Sequence, residues 1–293
     1  MIAERDAQPQ DIYLVFQMAK VASRSWSGLL NRHCPDALVS HFHAISNKRI
    51  RKIEGWMEAS ADTQTIKHLT LPRLGRPKPD IAPYIADGKW VGPSAVLISG
   101  VRDPVARAIS ATGFLGNRLG YTRAAVTPRD GGTVDNVLEL FLRAVAVARE
   151  GDPGDDTLVS LLGSIIGDFD LWFEEEVNSA FGLDIKTASF DREACALTLE
   201  RGHKLFVYRM EDLKDPACRA RVVQTAGRLT GKSFGPFPSF DVSGERRYQA
   251  LYRPVVEKLK LDQDTLDWFY NNETVTKFYS TAEIEGFRKR WKG

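Results

Sequence analysis

The chain has 293 residues, 43% of them hydrophobic, and a formal net charge of +2. That length and apolar content are enough for one substantial core, and the near-neutral balance gives no global argument for a nucleic-acid partner. The opening "MIAERDAQPQD" lacks the apolar stretch of a secretory signal and no run of about eighteen apolar residues occurs, so we expect a soluble, cytoplasmic protein with no integral membrane segment.

In chain order, "IYLVF" (12–16) is a short branched and aromatic run, the composition of a strand buried on both faces. "SRSWSGLLNRH" follows with helical spacing at Trp26, Leu29 and Leu30. Further strands are expected at 36–46 ("DALVSHFHAIS"), 94–101 ("SAVLISGV") and 204–210 ("KLFVYRM"). A helix is expected over 133–150, with Val137, Leu138, Phe141, Leu142 and Val145 along its apolar side, and another over 168–181, stopped by Gly182. Strands alternating with helices predict an α/β fold with a mostly parallel sheet. No repeat or linker divides the chain, so 1–293 reads as one domain, with turn-rich segments at 116–132 and 150–156 marking a helical and loop insertion over 116–167. Cys34, Cys195 and Cys218 are too scattered for a disulfide framework or a zinc knuckle and are expected to be reduced thiols. The basic runs 48–52 and 287–292 are ordinarily solvated faces, although the first could help hold an anion.

The chemistry begins at "FQMAKVASRSWSGLL" (16–30). In a strand–loop–helix unit the backbone N–H groups of the first helical turn point outward and attract an anion. Lys20 adds an ammonium, Ser23 and Ser25 add hydroxyl donors, and Arg24 adds a planar fork suited to phosphate oxygens. The ATP-binding pattern GxxxxGK[ST], whose hydroxyl holds Mg²⁺, is absent. A phosphosulfate group carries less charge at its reacting end than a phosphoryl group, and such a loop suits it without a metal. The same residues could also be plain helix-capping chemistry.

A second segment, "RDPVARAIS" (102–110), follows the buried strand at 94–101. Ligands of open α/β sheets bind at the carboxyl ends of the strands, where Arg102 stands, and Pro104 suits a first helical turn. About two turns on, Ser110 can share a face with Arg107, so that Arg102 and Ser110 converge on one anion. Otherwise Arg102 and Asp103 would form a local ion pair and Ser110 would only pack. For a proton acceptor, "HFH" offers His41 and His43 on one face of a strand, unless the pair is structural. Glu176, in "WFEEEV", is a rival base or part of an exposed acidic helix face.

These segments resemble the sulfotransferases that use 3′-phosphoadenosine 5′-phosphosulfate (PAPS). "KVASRSW" looks like their 5′-phosphosulfate loop, and "RDPVARAIS" matches their 3′-phosphate motif RDPxxRxxS at every fixed position. The stretches 172–185, 208–213 and 278–291 are similar to the bacterial branch that sulfates capsular and exopolysaccharides, while 118–167 has no counterpart. The resemblance implies a P-loop-type three-layer α/β/α sandwich and a carbohydrate O-sulfotransferase that needs no metal. It further implies that Lys20 meets the leaving bridging oxygen, that Val21, Ala22, Ser23, Arg24, Ser25 and Trp26 complete the 5′ cradle, and that Arg102 and Ser110 hold the 3′-phosphate, overlaid by Arg246 and Arg247. Glycan 2-O-sulfotransferases carry a His-x-His whose second member is the base, which implies His43 ahead of His41; Glu176 matches a glutamate of the bacterial branch. The loop departs from the family in Ala22, where Gly is common, and in Arg24, where Thr is common. A P-loop kinase or nucleoside triphosphatase, and a non-catalytic nucleotide or glycan binder, remain the alternative functions.

Overall fold

The computed structural model describes residues 11–18, 21–51, 81–118, 133–151, 156–238 and 246–293. Strand β1 (Ile12–Phe16) is buried along its whole length and lies second in a five-stranded sheet. It pairs in parallel with β2 (Leu38–Phe42), from Ile12 opposite Leu38 to Phe16 opposite Phe42. On its other side it pairs in parallel with β5 (Val96–Val101). Next comes β7 (His203–Arg209), also parallel, and β6 (Ala196–Arg201) closes the far edge antiparallel to β7. The spatial order is therefore β2-β1-β5-β7-β6, an α/β sheet that is mostly parallel. A small hairpin of β3 (Ile85–Ala86) and β4 (Lys89–Trp90) stands apart from it.

The strands alternate their side chains between two cores, the period-two consequence of the pleat. Leu14, Phe16, Leu97, Val101, Leu205 and Val207 enter one core, under helices α2 (Pro104–Arg118), α3 (Thr133–Glu150), α4 (Thr157–Gly167) and the carboxyl-terminal helices. Tyr13, Val15, Ile98, Phe206 and Tyr208 enter the other, against Trp26, Leu29 and Leu30 of α1 (Ser23–His33) and Val222, Ala226 and Leu229 of α5 (Pro216–Thr230). Each such large apolar side chain contributes about 1.5–3 kcal/mol when fully buried, and the two cores give the layering of helices, sheet and helices. The remaining helices are α6 (Arg246–Lys258), α7 (Gln263–Tyr270), α8 (Glu273–Phe278) and α9 (Thr281–Trp291). Helix α9 starts on a capping box between Ser280 and Glu283.

Three expectations need correction. The strand expected over 36–46 stops at Phe42, so His43 lies just beyond it. Along α3, Val137, Phe141 and Val145 are buried as expected, but Leu142 is 48% exposed because the packed face is the one turned to α4. The helix expected over 168–181 is instead a π-helical turn at Phe173–Asn178 that closes through Ser179–Phe181. Its stop is as expected: Gly182 takes a left-handed φ of 67°, which a Cβ would strain. The segment read as an insertion contributes Phe141 and Leu162 to the same core as the sheet. Antiparallel β6 was not anticipated at all. Among the described residues no helix is long and apolar enough to cross a membrane, and Cys34, Cys195 and Cys218 are free thiols.

Candidate active site at the carboxyl edge of the sheet

The loops that follow β2, β1 and β5 are neighbours because those strands are neighbours. The central loop carries the first motif. Ala19 and Lys20 lie outside the described residues. Val21 is fully buried, and Ala22 sits at φ 63°, ψ 27°, a left-handed conformation for which glycine is the ordinary residue. That geometry gives a physical reason why the family resemblance expects Gly at this position. Ala22 begins α1: its carbonyl accepts from the Ser25 and Trp26 N–H groups at 3.1 and 3.4 Å. Among the described residues no side chain caps this helix start, and no acidic residue occupies its first turn. Ser23 is half-buried, Arg24 exposed and Ser25 buried. Trp26 points the other way, into the core against Phe206, Tyr208 and Phe237.

Sequence reasoning missed what holds this loop from beneath. The buried Tyr208 hydroxyl donates to the Val21 carbonyl and lies 3.1 Å from Gln17 Oε1. Burial pushes its pKa upward, so the phenol keeps the proton it donates. Tyr208 needs the space above Gly100, where an added Cβ would come within 2.7 Å of its ring. A glycine inside the apolar run "VLISGV" was the available signal for such a close approach. Gln17 is fully buried, and its Nε2 has no hydrogen-bond partner among the described residues, a donor left over beneath the loop.

On one side of this loop stand the histidines. His41 belongs to β2 and His43 follows it, with their rings edge to face at 4.7 Å. Strand register sets Phe16 opposite Phe42, which brings Gln17 level with His43. His43 Nδ1 lies 2.6 Å from the Gln17 carbonyl oxygen. A carbonyl can only accept, so Nδ1 carries the proton and Nε2 is the basic nitrogen. The Trp172 indole donates to the His43 carbonyl at 3.3 Å. Glu176 is fully buried rather than on an exposed acidic face: it accepts from the Ile45 and Ser46 N–H groups and from the Ser46 hydroxyl. Burial raises its pKa, against the opposing pull of Arg49 and these donors.

On the other side is the tip of β5. Pro104 opens α2 as expected. Arg102 is half-buried, and its guanidinium donates to the Tyr252 hydroxyl at 2.8 Å and stands 5.9 Å from that ring's centre. Ser110 is buried on α2. The hydrogen bonds of Asp103 do not go to Arg102: its carboxylate accepts from Tyr270 at 2.7 Å, Trp291 at 3.0 Å and the Val105 N–H at 3.1 Å. Its own N–H donates to Glu211, which also accepts from Tyr279. Burial raises the pKa of both carboxyls. Arg107 leaves the anion face altogether: buried, it donates to the carbonyls of Ile165 and Ile166 at the end of α4, where a cation also meets the negative pole of the helix. Burial pulls its pKa down to about 10. Arg246 and Arg247 are the first two residues of α6, whose later turn supplies Tyr252.

In the first basic run Lys48 pairs with Glu175 and Arg49 with Asp168, while Lys52 lies outside the described residues. Arg288 of the second run pairs with Asp267 and Asn271. Among the described residues no group of three or more His, Cys, Asp or Glu side chains could hold a metal ion. Comparison of the chain with protein families, with curated proteins and with solved structures gives no match.

Proposed function

We propose that this protein is a PAPS-dependent sulfotransferase on a P-loop-type sandwich, moving a sulfuryl group to a hydroxyl of a carbohydrate, with a cell-surface or capsular polysaccharide as the acceptor. One observation carries the reading: three adjacent parallel strands bring an uncapped helix start without acidic residues, a histidine with a fixed tautomer and an arginine to the same edge of the sheet. The donor set fits a nucleotide with anionic groups at its two ends. Ser23, Arg24, Ser25 and the first N–H groups of α1 would hold the 5′ end, with the spare Gln17 amide beneath them. Arg102 and Ser110, one strand away, would hold the 3′-phosphate, with Arg246 and Arg247 on the helix that carries Tyr252.

When bound, PAPS supplies the sulfuryl group. His43 Nε2 removes the proton of the acceptor hydroxyl while the Gln17 carbonyl steadies the imidazolium that forms at Nδ1–H. Lys20, which follows Ala19 in the sequence, would meet the charge that grows on the leaving oxygen.

Calorimetry with the desulfated nucleotide PAP and with adenosine 5′-phosphate tests the reading. PAP should bind at least about tenfold more tightly, the worth of charge-assisted bonds to one extra phosphate. Equal affinities would remove the 3′ site. Transfer from radiolabelled PAPS to a panel of cell-envelope glycans should persist in EDTA. Lys20→Ala should slow single turnover by about two to three orders of magnitude while PAP affinity changes far less.

A further inference from the structure

We propose that Glu176 is the positioning residue for His43: a buried carboxylate that fixes the backbone behind the imidazole so that its basic nitrogen stays aimed at the acceptor. The inference rests on His43 being the base of the proposed transfer.

Beyond the end of β2 the chain has no sheet partner to hold it, yet it carries the imidazole. The π-helical turn and the residue that precedes it take over that task. The Trp172 indole donates to the His43 carbonyl. Four residues on, Glu176 Oε2 accepts from Ile45 N–H at 2.7 Å and Ser46 N–H at 3.1 Å, and Oε1 accepts from the Ser46 hydroxyl at 2.6 Å. Ala44 is thus bracketed from both sides. The Ser46 oxygen in turn accepts from the Arg49 N–H at 3.3 Å, in the helical turn that begins at 47. The ring is fixed separately, through Nδ1 and the Gln17 carbonyl. Clamped at backbone and ring, the imidazole has little freedom to turn.

Two further facts separate this role from that of a base and from plain packing. Glu176 is 0% exposed and both oxygens are committed to hydrogen bonds, so it cannot reach an acceptor hydroxyl without abandoning them. A buried carboxylate also carries a heavy desolvation cost, which an apolar residue of the same shape would avoid. What the carboxylate adds is three directed acceptor contacts on one short segment, and π-helical turns recur where a functional group must be re-aimed.

The test uses Glu176→Gln, nearly isosteric but uncharged, in which one acceptor oxygen becomes an amide that only donates, so that the Ser46 hydroxyl must turn its proton away, and Ser46→Ala, which removes the hydroxyl's bonds to Glu176 and Arg49 and leaves the carboxylate in place. Long-range proton–nitrogen NMR of the histidine rings reports on His43 whether or not transfer occurs. The wild type should show one Nδ1–H tautomer, Glu176→Gln a mixture with faster proton exchange, and Ser46→Ala a smaller change in the same direction. Single-turnover transfer should fall about ten- to a hundredfold in Glu176→Gln, the effect of misaiming a catalytic group by about 1 Å. PAP affinity should stay within about twofold, because a misaimed base alters turnover and not ground-state binding. The acid limb of the pH–rate profile should survive in Glu176→Gln. An unchanged tautomer with full turnover overturns the proposal. Loss of the acid limb in Glu176→Gln, with turnover retained in His43→Ala, makes Glu176 the base and overturns it equally. If the wild type transfers nothing, the sulfotransferase reading fails, and the tautomer comparison alone decides whether Glu176 holds His43.

Discussion

The loop after β1 and the turn after β5 face the same space, but they are held in different ways. The first is supported from within the sheet, by Tyr208 of the strand two places away, 187 residues on from Val21, and by Gln17, which follows its own strand. The second is supported from outside the sheet, by the carboxyl-terminal helices: Arg102 by Tyr252, 150 residues on, and Asp103 by Tyr270 and Trp291, 167 and 188 residues on. An anion cradle built on backbone needs a rigid floor, whereas a single reaching side chain needs a bracket. The carboxyl-terminal helices are that bracket, so the turn after β5 depends on elements that lie outside the sheet.

Removal of Arg102 would break this contrast most sharply. Arg102→Ala should raise KM for PAPS about ten- to a hundredfold with little change in turnover at saturation, since a contact to the remote phosphate is made equally before and during transfer. Adenosine 5′-phosphate affinity should not move. A fall in turnover without a change in KM would put Arg102 at the reacting centre. The floor of the other loop is tested by Gly100→Ala, whose new Cβ would meet the Tyr208 ring at 2.7 Å. Overpacking of this kind costs about 1–3 kcal/mol, and urea unfolding should show it. Here, unlike at Arg102, affinities for PAP and adenosine 5′-phosphate should fall together, because the 5′ cradle is disturbed.

Tyr252→Phe is gentler. It deletes the 2.8 Å bond to Arg102 and keeps the ring beneath the guanidinium. A loss of about fivefold in PAP affinity is expected, one neutral hydrogen-bond partner's worth, again with adenosine 5′-phosphate unaffected. If both nucleotides weaken, Tyr252 serves the whole site and the bracket idea is too narrow.

The smallest effect concerns the bracket in acid. Glu283 is partly buried, which works against its ionisation, but the Ser280 N–H and hydroxyl and the nearby Arg209 hold its pKa at about 2, below the ordinary 4.5. A carboxylate lowered on folding adds stability that is complete above pH 4.5 and is lost as the pH falls towards 2. Glu283→Gln should therefore flatten the decline in stability across that window, read by thermal unfolding at a series of pH values. An unchanged slope would assign the acid limb to other groups.

Separation along the chain explains what the sequence could disclose. "IYLVF" and "SRSWSGLLNRH" are legible because composition and spacing are local: both elements run over the residues expected. "RDPVARAIS" revealed a strand tip and a helix start, but not that Arg107 would turn to the end of α4, because that partner is set by tertiary packing 58 residues away. His41 and His43 were readable as a pair on one face. The grip of Glu176 on Ser46 was not, since it spans 130 residues and depends on a π-helical turn that no helical periodicity predicts. Trp26 was read with its loop because it is adjacent in sequence, yet an indole within an apolar helical stripe belongs to the core.

Ala22 also acts through the unfolded chain. Its left-handed backbone costs the native state about 1 kcal/mol relative to a glycine. A glycine there would relieve that strain and in exchange give the denatured ensemble more conformations to lose, worth about 0.4–1 kcal/mol. The two nearly cancel, so an alanine at this helix start leaves equilibrium stability almost where a glycine would and narrows the range of shapes open to this segment before it folds.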